Sequence, residues 1–129
     1  MEKLKQVAFE VIKEEKLPEP IEIKFRATVS GTAKRRGVCV RYHLNDEFKL
    51  IINTTKTRWF EDDEGKYTDK NTGKRFRKAT IGETLTENEI KNTLAHEIAH
   101  LKFWNHDAKH TSYSLYILNK INEKLANIV

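Results

Sequence analysis

Cysteine is nearly missing from this chain of 129 residues. Cys39 is the only one, which excludes an internal disulfide and any zinc ribbon built on several cysteines. Such sparing use of cysteine fits a reducing, intracellular (cytoplasmic) setting. Long hydrophobic runs are missing too, so no segment reads as a membrane span, and no membrane partner is expected. The N-terminal "MEKLKQVAFEVIKEEK" carries acids throughout and lacks a long apolar stretch, so it does not read as a signal peptide. There is no internal repeat and no low-complexity tract. Histidine is also scarce, with five in the chain, yet four of them fall in "LAHEIAHLKFWNHDAKH", residues 94–110.

What is present suits one domain, 1–129, with one core. Apolar residues make up 38% of the chain and charged residues 33%, enough for a core under a well-solvated surface. The net charge of +5 permits attraction to nucleic acid or acidic partners without requiring it.

The pattern along the chain predicts an α+β domain. Leu4, Val7, Ala8, Val11 and Ile12 follow helical spacing over 2–16, and Pro18 and Pro20 close that helix. "IEIKFRATV" alternates as a half-buried strand. "VCVRYHL" alternates again, with Val38, Val40, Tyr42 and Leu44 on one face, and "FKLIINTT" supplies a third strand. The expected arrangement is a three-stranded meander. Residues 56–83 read as an insertion built around a basic hairpin, with Asn71-Thr72-Gly73 as its turn. Within 66–78 there are six Lys/Arg and one Asp, a local charge of +5. Thr86 and Glu89 have capping-box spacing at the start of the next helix. That helix carries Ile90, Leu94, Ile98 and Leu101 and is expected to run to about Trp104 or Asn105. A last helix over 108–127 carries Leu115, Leu118, Ile121, Leu125 and Ile128.

The histidines fall into an HExxH motif, His96-Glu97-Ile98-Ala99-His100. Residues four apart on a helix stand one above the other, with Cβ atoms about 5–6 Å apart, so two imidazoles can converge on one metal ion. Glu97, one residue round, stands beside the metal, where it can take the proton of an activated water. At about 100° per residue the apolar residues of this helix fill an arc of roughly 80°, and both histidines lie outside it. They face a second surface, where a site can form. Catalytic zinc commonly has three protein ligands. His106, past the expected helix end, is one candidate for the third, and His110, four residues later, is the other. The bland alternative is a helix surface that happens to be rich in imidazole.

"HEIAHLKFWNHDAKH" resembles the SprT-like and WLM group of small zinc metallopeptidases, in particular the YgjP-like branch, with its pattern HExxH-x5-H-xxx-aromatic. The upstream order, helix then strands containing "GVCVRYHLNDEFKLIINTT", is also similar. The resemblance covers roughly 1–55 and 84–129 and is specific only around 94–110. It implies a zincin-like fold, one Zn²⁺ per chain held by His96, His100 and His106, and Glu97 as general base for peptide-bond hydrolysis. It also implies an edge strand above the cleft, here "FKLIINTT", that pairs with an extended polypeptide substrate. One departure stands out: the family usually has an aromatic residue where this chain has His110. The metzincin pattern shares the histidine spacing but places a glycine where this chain has Phe103, so it is the poorer resemblance. The added zinc ribbon of relatives that act on DNA-bound proteins is missing.

A peptidase also needs a donor to the developing oxyanion, for which Tyr113, Tyr116 and His110 are candidates, ordinary helix packing being the alternative for the tyrosines. The hairpin residues Lys74, Arg75, Arg77 and Lys78 can follow a phosphate backbone, which would bring in DNA-associated substrates. They can equally form a solvated arm paired with the acids of 61–64, or a lid over the cleft. Two rival functions stay open: a nucleic-acid-binding module with a structural or latent metal site, and a zinc hydrolase acting on a bond other than a peptide. Cys39, facing away from Val38 and Val40, reads as a small packed residue.

Overall fold

A computed structural model describes residues 1–27, 36–60, 67–68, 75–76 and 78–127, and of 56–60, 67–68, 75–76 and 78–83 the backbone. The first helix, α1 (Glu2–Glu14), buries the expected face of Leu4, Val7, Ala8, Val11 and Ile12. Its end is set before the prolines. Lys16 takes a left-handed conformation, φ 54°. The Leu17 amide then donates to the Ile12 carbonyl at 3.0 Å and the Lys16 amide to the Lys13 carbonyl at 3.1 Å. This is a Schellman cap.

Three strands follow: β1 (Glu22–Arg26), β2 (Gly37–Tyr42) and β3 (Glu47–Asn53). The sheet order is β1-β3-β2, with β1 parallel and β2 antiparallel to β3. The expected meander is therefore corrected to a mixed sheet. Alternation identifies a strand's faces but not its neighbours. β3 buries Phe48, Leu50 and Ile52 and takes the centre, which leaves β2 rather than "FKLIINTT" at the edge. Leu44 does not join the β2 face, because it lies in the turn between β2 and β3 and is 99% exposed.

Within 55–84 two antiparallel strand pairs are described. β4 (Thr55–Phe60) pairs antiparallel with β7 (Lys78–Thr84), and β5 (Tyr67–Thr68) pairs with β6 (Arg75–Phe76). The turn at Asn71-Thr72-Gly73, the acids of 61–64, and Lys74 and Arg77 lie outside the described residues, as do the side chains of Arg75 and Lys78.

α2 (Glu87–Ala99) opens on the expected cap, with the Thr86 hydroxyl accepting from the Glu89 amide at 3.2 Å. It stops at Ala99, about one and a half turns short of the expected end. From His100 the amides reach back three residues rather than four: His100 to Glu97, Leu101 to Ile98 and Lys102 to Ala99. The last turn tightens and the chain swings round.

α3 (Ala108–Ala126) packs on both other helices. It buries Ile117 and Ile121 fully, with Tyr113, Leu118 and Leu125 against the core. Leu115, expected inside, is 60% exposed. Apolar residues three and four apart make two stripes on this helix, and the contact with α1 and α2 selects one. Ile128 lies outside the described residues. The core joins α1, α2, α3 and one face of the sheet, and each fully buried Leu or Ile contributes about 1.5–3 kcal/mol of apolar burial. Together these make a small α+β domain. Among the described residues no helix is long and apolar enough to cross a membrane.

Candidate metal centre

The last turn of α2, the loop after it and the first turn of α3 bring four of the five histidines together. His43 is the exception, exposed in the turn before β3. Ring nitrogens of His96, His100 and His110 lie within 4.8 Å of one another, close enough to hold a metal ion. His106 comes closer still. Its Nε2 is 3.1 Å from Nε2 of His96 and 3.0 Å from Nε2 of His100, and those two are 3.3 Å apart. The three Nε2 atoms thus form a small triangle. With metal–nitrogen bonds of 2.0–2.1 Å, tetrahedral ligands stand about 3.3–3.4 Å apart, so the triangle fits one ion.

Hydrogen bonds select the ring atoms that face inward. The Phe103 carbonyl can only accept, so Nδ1 of His100, 3.2 Å away, carries a proton. A neutral His100 then presents the Nε2 lone pair to the triangle. In His110 the same rule works the other way. Its Nε2 donates to the His96 carbonyl at 3.0 Å and so carries the proton. The His110 ring is 2% exposed and stacks on His100, centroids 4.1 Å apart and planes 29° apart. Of the two candidates for a third ligand, His106 joins the triangle, while His110 is bonded behind it.

Local sequence explains the placement of His106. Asp107 caps α3, its carboxylate accepting from the His110 amide at 2.9 Å. That cap fixes where the loop enters α3 and hence where His106, just before it, must stand. Asp107 lies three residues before His110, the spacing of a cap, and this signal was available in the sequence.

Electrostatics favour the neutral, metal-binding form of His96 and His100. Burial, and then the charges of His110, His100 and His106, push His96 down to about 4. Burial lowers His100 as well, followed by the charge of His110. Three ring nitrogens this close together avoid repulsion only with a cation or protons between them. Glu97 stands beside the triangle, 4% exposed, with one carboxylate oxygen 3.8 Å from Nε2 of His96.

The triangle opens into a cleft of about 760 Å³ between α2 and β2. Arg36, Gly37 and Cys39 form one wall and Trp104, with Asn105, the far end. Gly37 allows β2 to lie this close. A Cβ there would stand 2.7 Å from Cγ2 of Thr93 and 3.3 Å from Cγ of Glu97. Cys39, distant from the motif in sequence, packs against the core as expected and also reaches the cleft wall. Burial, and then the charge of Glu97, raises its thiol to about 12, so it stays protonated.

The two tyrosines are corrected. Tyr113 and Tyr116 do not line the cleft. Their hydroxyls donate to Glu15 at the end of α1, at 3.4 and 2.7 Å. Lys120 joins them, 2.8 Å from the same carboxylate, and lowers its pKa. The group ties α3 to α1, so neither hydroxyl is an oxyanion donor. Comparison with protein-family models, curated proteins and solved structures finds no match.

Proposed function

We propose that this chain is a zinc-dependent metallopeptidase of the SprT-like and WLM kind, holding one Zn²⁺ through His96, His100 and His106. The observation that carries the reading is the triangle of three Nε2 atoms, 3.0 to 3.3 Å apart, with a buried carboxylate alongside. When bound, zinc polarises a carbonyl and brings the pKa of water to about 7. Glu97 takes the proton of the attacking water and passes it to the leaving amine. Its burial keeps the carboxylate away from bulk water and aimed at the cleft. His110 holds the backbone of His96 and the ring of His100, and the Phe103 carbonyl fixes the tautomer of His100.

The substrate is an extended polypeptide. Among the described residues β2 is an edge of its sheet, and the cleft runs along it. An edge strand offers main-chain donors and acceptors that pair with any extended segment, with little demand on its sequence. Access for DNA-associated proteins through the basic insertion belongs to the same reading. The nucleic-acid-binding module is the weaker alternative: it rests on Lys74, Arg75, Arg77 and Lys78, whose side chains lie outside the described residues, and it leaves the histidine triangle unused.

The test joins metal analysis to a single substitution. Wild type binds zinc and cleaves an unfolded protein, and Glu97→Gln keeps the zinc and the fold but loses activity about a hundredfold or more. A chain that takes up no zinc, or a Glu97→Gln variant that cleaves as well as wild type, overturns the reading. Zinc binding without peptide cleavage returns the choice to a hydrolase for another bond or a latent site.

A further inference from the structure

The cleft has two unlike ends. α2 runs from Asn92 and Thr93 through His96 and Glu97 to His100, and β2 runs beside it in the same sense. Arg36 stands opposite the start of α2, 3.9 Å from Glu89. Gly37 meets Thr93 and Glu97. Arg41, further along β2, lies over the ring of Phe48, 6.0 Å from its centroid. Phe48 in turn lies 6.4 Å from Trp104, and Trp104 lies 6.0 Å from His100. One end is therefore polar, with Arg36 paired to Glu89, and the other is aromatic, with Arg41 lying over Phe48.

Trp104 is 48% exposed at that aromatic end, while Phe48 behind it is buried. Phe48 lies against the indole, and Trp104 lines the cleft. Half an indole left in water is costly, and a partner that covers it recovers that apolar area. The position next to His100 puts the ring beside the proposed point of cleavage rather than at a remote surface.

We propose that Trp104 is the specificity-determining residue of the cleft, the seat for one apolar side chain (Phe, Leu or Met) of the extended polypeptide, next to the bond that is cut. The proposal rests on the peptidase reading for its substrate, but it concerns binding and can be read without catalysis. Pairing with β2 is indifferent to sequence, whereas Trp104 supplies a single side-chain preference.

The experiment uses zinc-loaded Glu97→Gln and two short dye-labelled peptides of serine and threonine. One has a single central phenylalanine and its twin has serine there. The phenylalanine peptide is expected to bind about tenfold or more tightly than its twin, as an apolar side chain in a fitted pocket does. Trp104→Ala should collapse that ratio towards one, with zinc content measured alongside. A second readout does not depend on that variant folding. The phenylalanine peptide should shift the tryptophan emission of Glu97→Gln to the blue, and the added conservative Trp104→Phe change should abolish the shift. Equal affinity for the two peptides, or a ratio unchanged in folded Trp104→Ala, overturns the proposal. If wild type fails to cleave the phenylalanine peptide although it binds with the expected preference, the hydrolytic reading fails and the side-chain seat stands.

Discussion

His110 reaches across from α3 and donates from Nε2 to the main-chain carbonyl of His96 at 3.0 Å. The same ring stacks on His100. One buried side chain thus fixes both histidines of the HExxH motif, one by its backbone and the other by its ring. The His106 ring also packs on both, stacked against His96 and edge-on to His100, but it bonds no carbonyl of theirs and points its Nε2 into the triangle.

That difference predicts unequal effects on metal binding. Wild type should hold about one zinc per chain, and His106→Ala should lose most of it. His110→Phe keeps a stacking ring but loses the donor. It should retain the stoichiometry while zinc affinity falls about 10- to 100-fold, the usual cost of losing a group that orients a ligand. Elemental analysis with competition against a chelating dye measures both. Zinc retained by His106→Ala and lost by His110→Phe would make His110 the third ligand.

The metal-free chain should lose stability on mild acidification. Unfolded, His96 has the ordinary imidazole value of 6.5, and folded it lies at about 4. Between these the unfolded chain binds a proton that the folded chain refuses. Stability is therefore full above the unfolded value and falls as pH drops towards the folded one. His100 shifts in the same direction. The His96 side chain is 41% exposed, so water screens part of the effect. Urea midpoints of the metal-free protein, followed from about pH 7 down to about pH 4, should decline, and His96→Asn should flatten the slope. An equal slope in the variant would place the acid sensitivity elsewhere.

Much of the site could be read from short-range spacing. Positions i and i+4 face together on any helix, so His96 and His100 had to meet, and Thr86 with Glu89 marked where their helix starts. The features that escaped depend on partners distant in sequence. Alternation showed that residues 47–53 form a strand, but only packing made it the central one and put β2 at the cleft. The end of α2 moved because its last amides bond three residues back, which no periodicity records. Tyr113 and Tyr116 share a plausible side of α3, yet Glu15, about a hundred residues earlier, decides where their hydroxyls go. The reason for a glycine at position 37 lies in Thr93 and Glu97, which stand against it.

Lys16 offers a stabilising change far from the site. It holds φ 54° in the Schellman cap of α1, a conformation that costs a side chain with a Cβ about 1 kcal/mol or more. Lys16→Gly removes that strain and keeps both cap hydrogen bonds, at some cost in unfolded-chain entropy. The net expectation is a gain of up to about 1 kcal/mol in urea unfolding, with zinc binding and hydrolysis unchanged. A loss of stability would mean that Lys16 makes a contact worth more than its strain.

Gly37→Ala tests the approach of β2 to α2 directly. The new methyl would stand 2.7 Å from Cγ2 of Thr93 and 3.0 Å from the Ile51 carbonyl oxygen. Neither neighbour retreats easily. The Thr93 hydroxyl donates to the Glu89 carbonyl at 3.0 Å, which holds its rotamer, and the Ile51 oxygen belongs to the backbone of β3. The strand must therefore move off the helix, at an overpacking cost of about 1–3 kcal/mol. Glu97, whose Cγ would be 3.3 Å from the methyl, shifts with it. The three histidines stand on α2 and the loop beyond it, so zinc uptake should survive. Hydrolysis should fall further than the lost stability explains. Adding Thr93→Ser removes Cγ2 and should restore part of the stability, but not all, because the Ile51 oxygen remains. Urea unfolding, zinc content and peptide cleavage on the single and double variants measure this. If Gly37→Ala is as stable and active as wild type, β2 does not press on α2 at this point, and glycine is not required there.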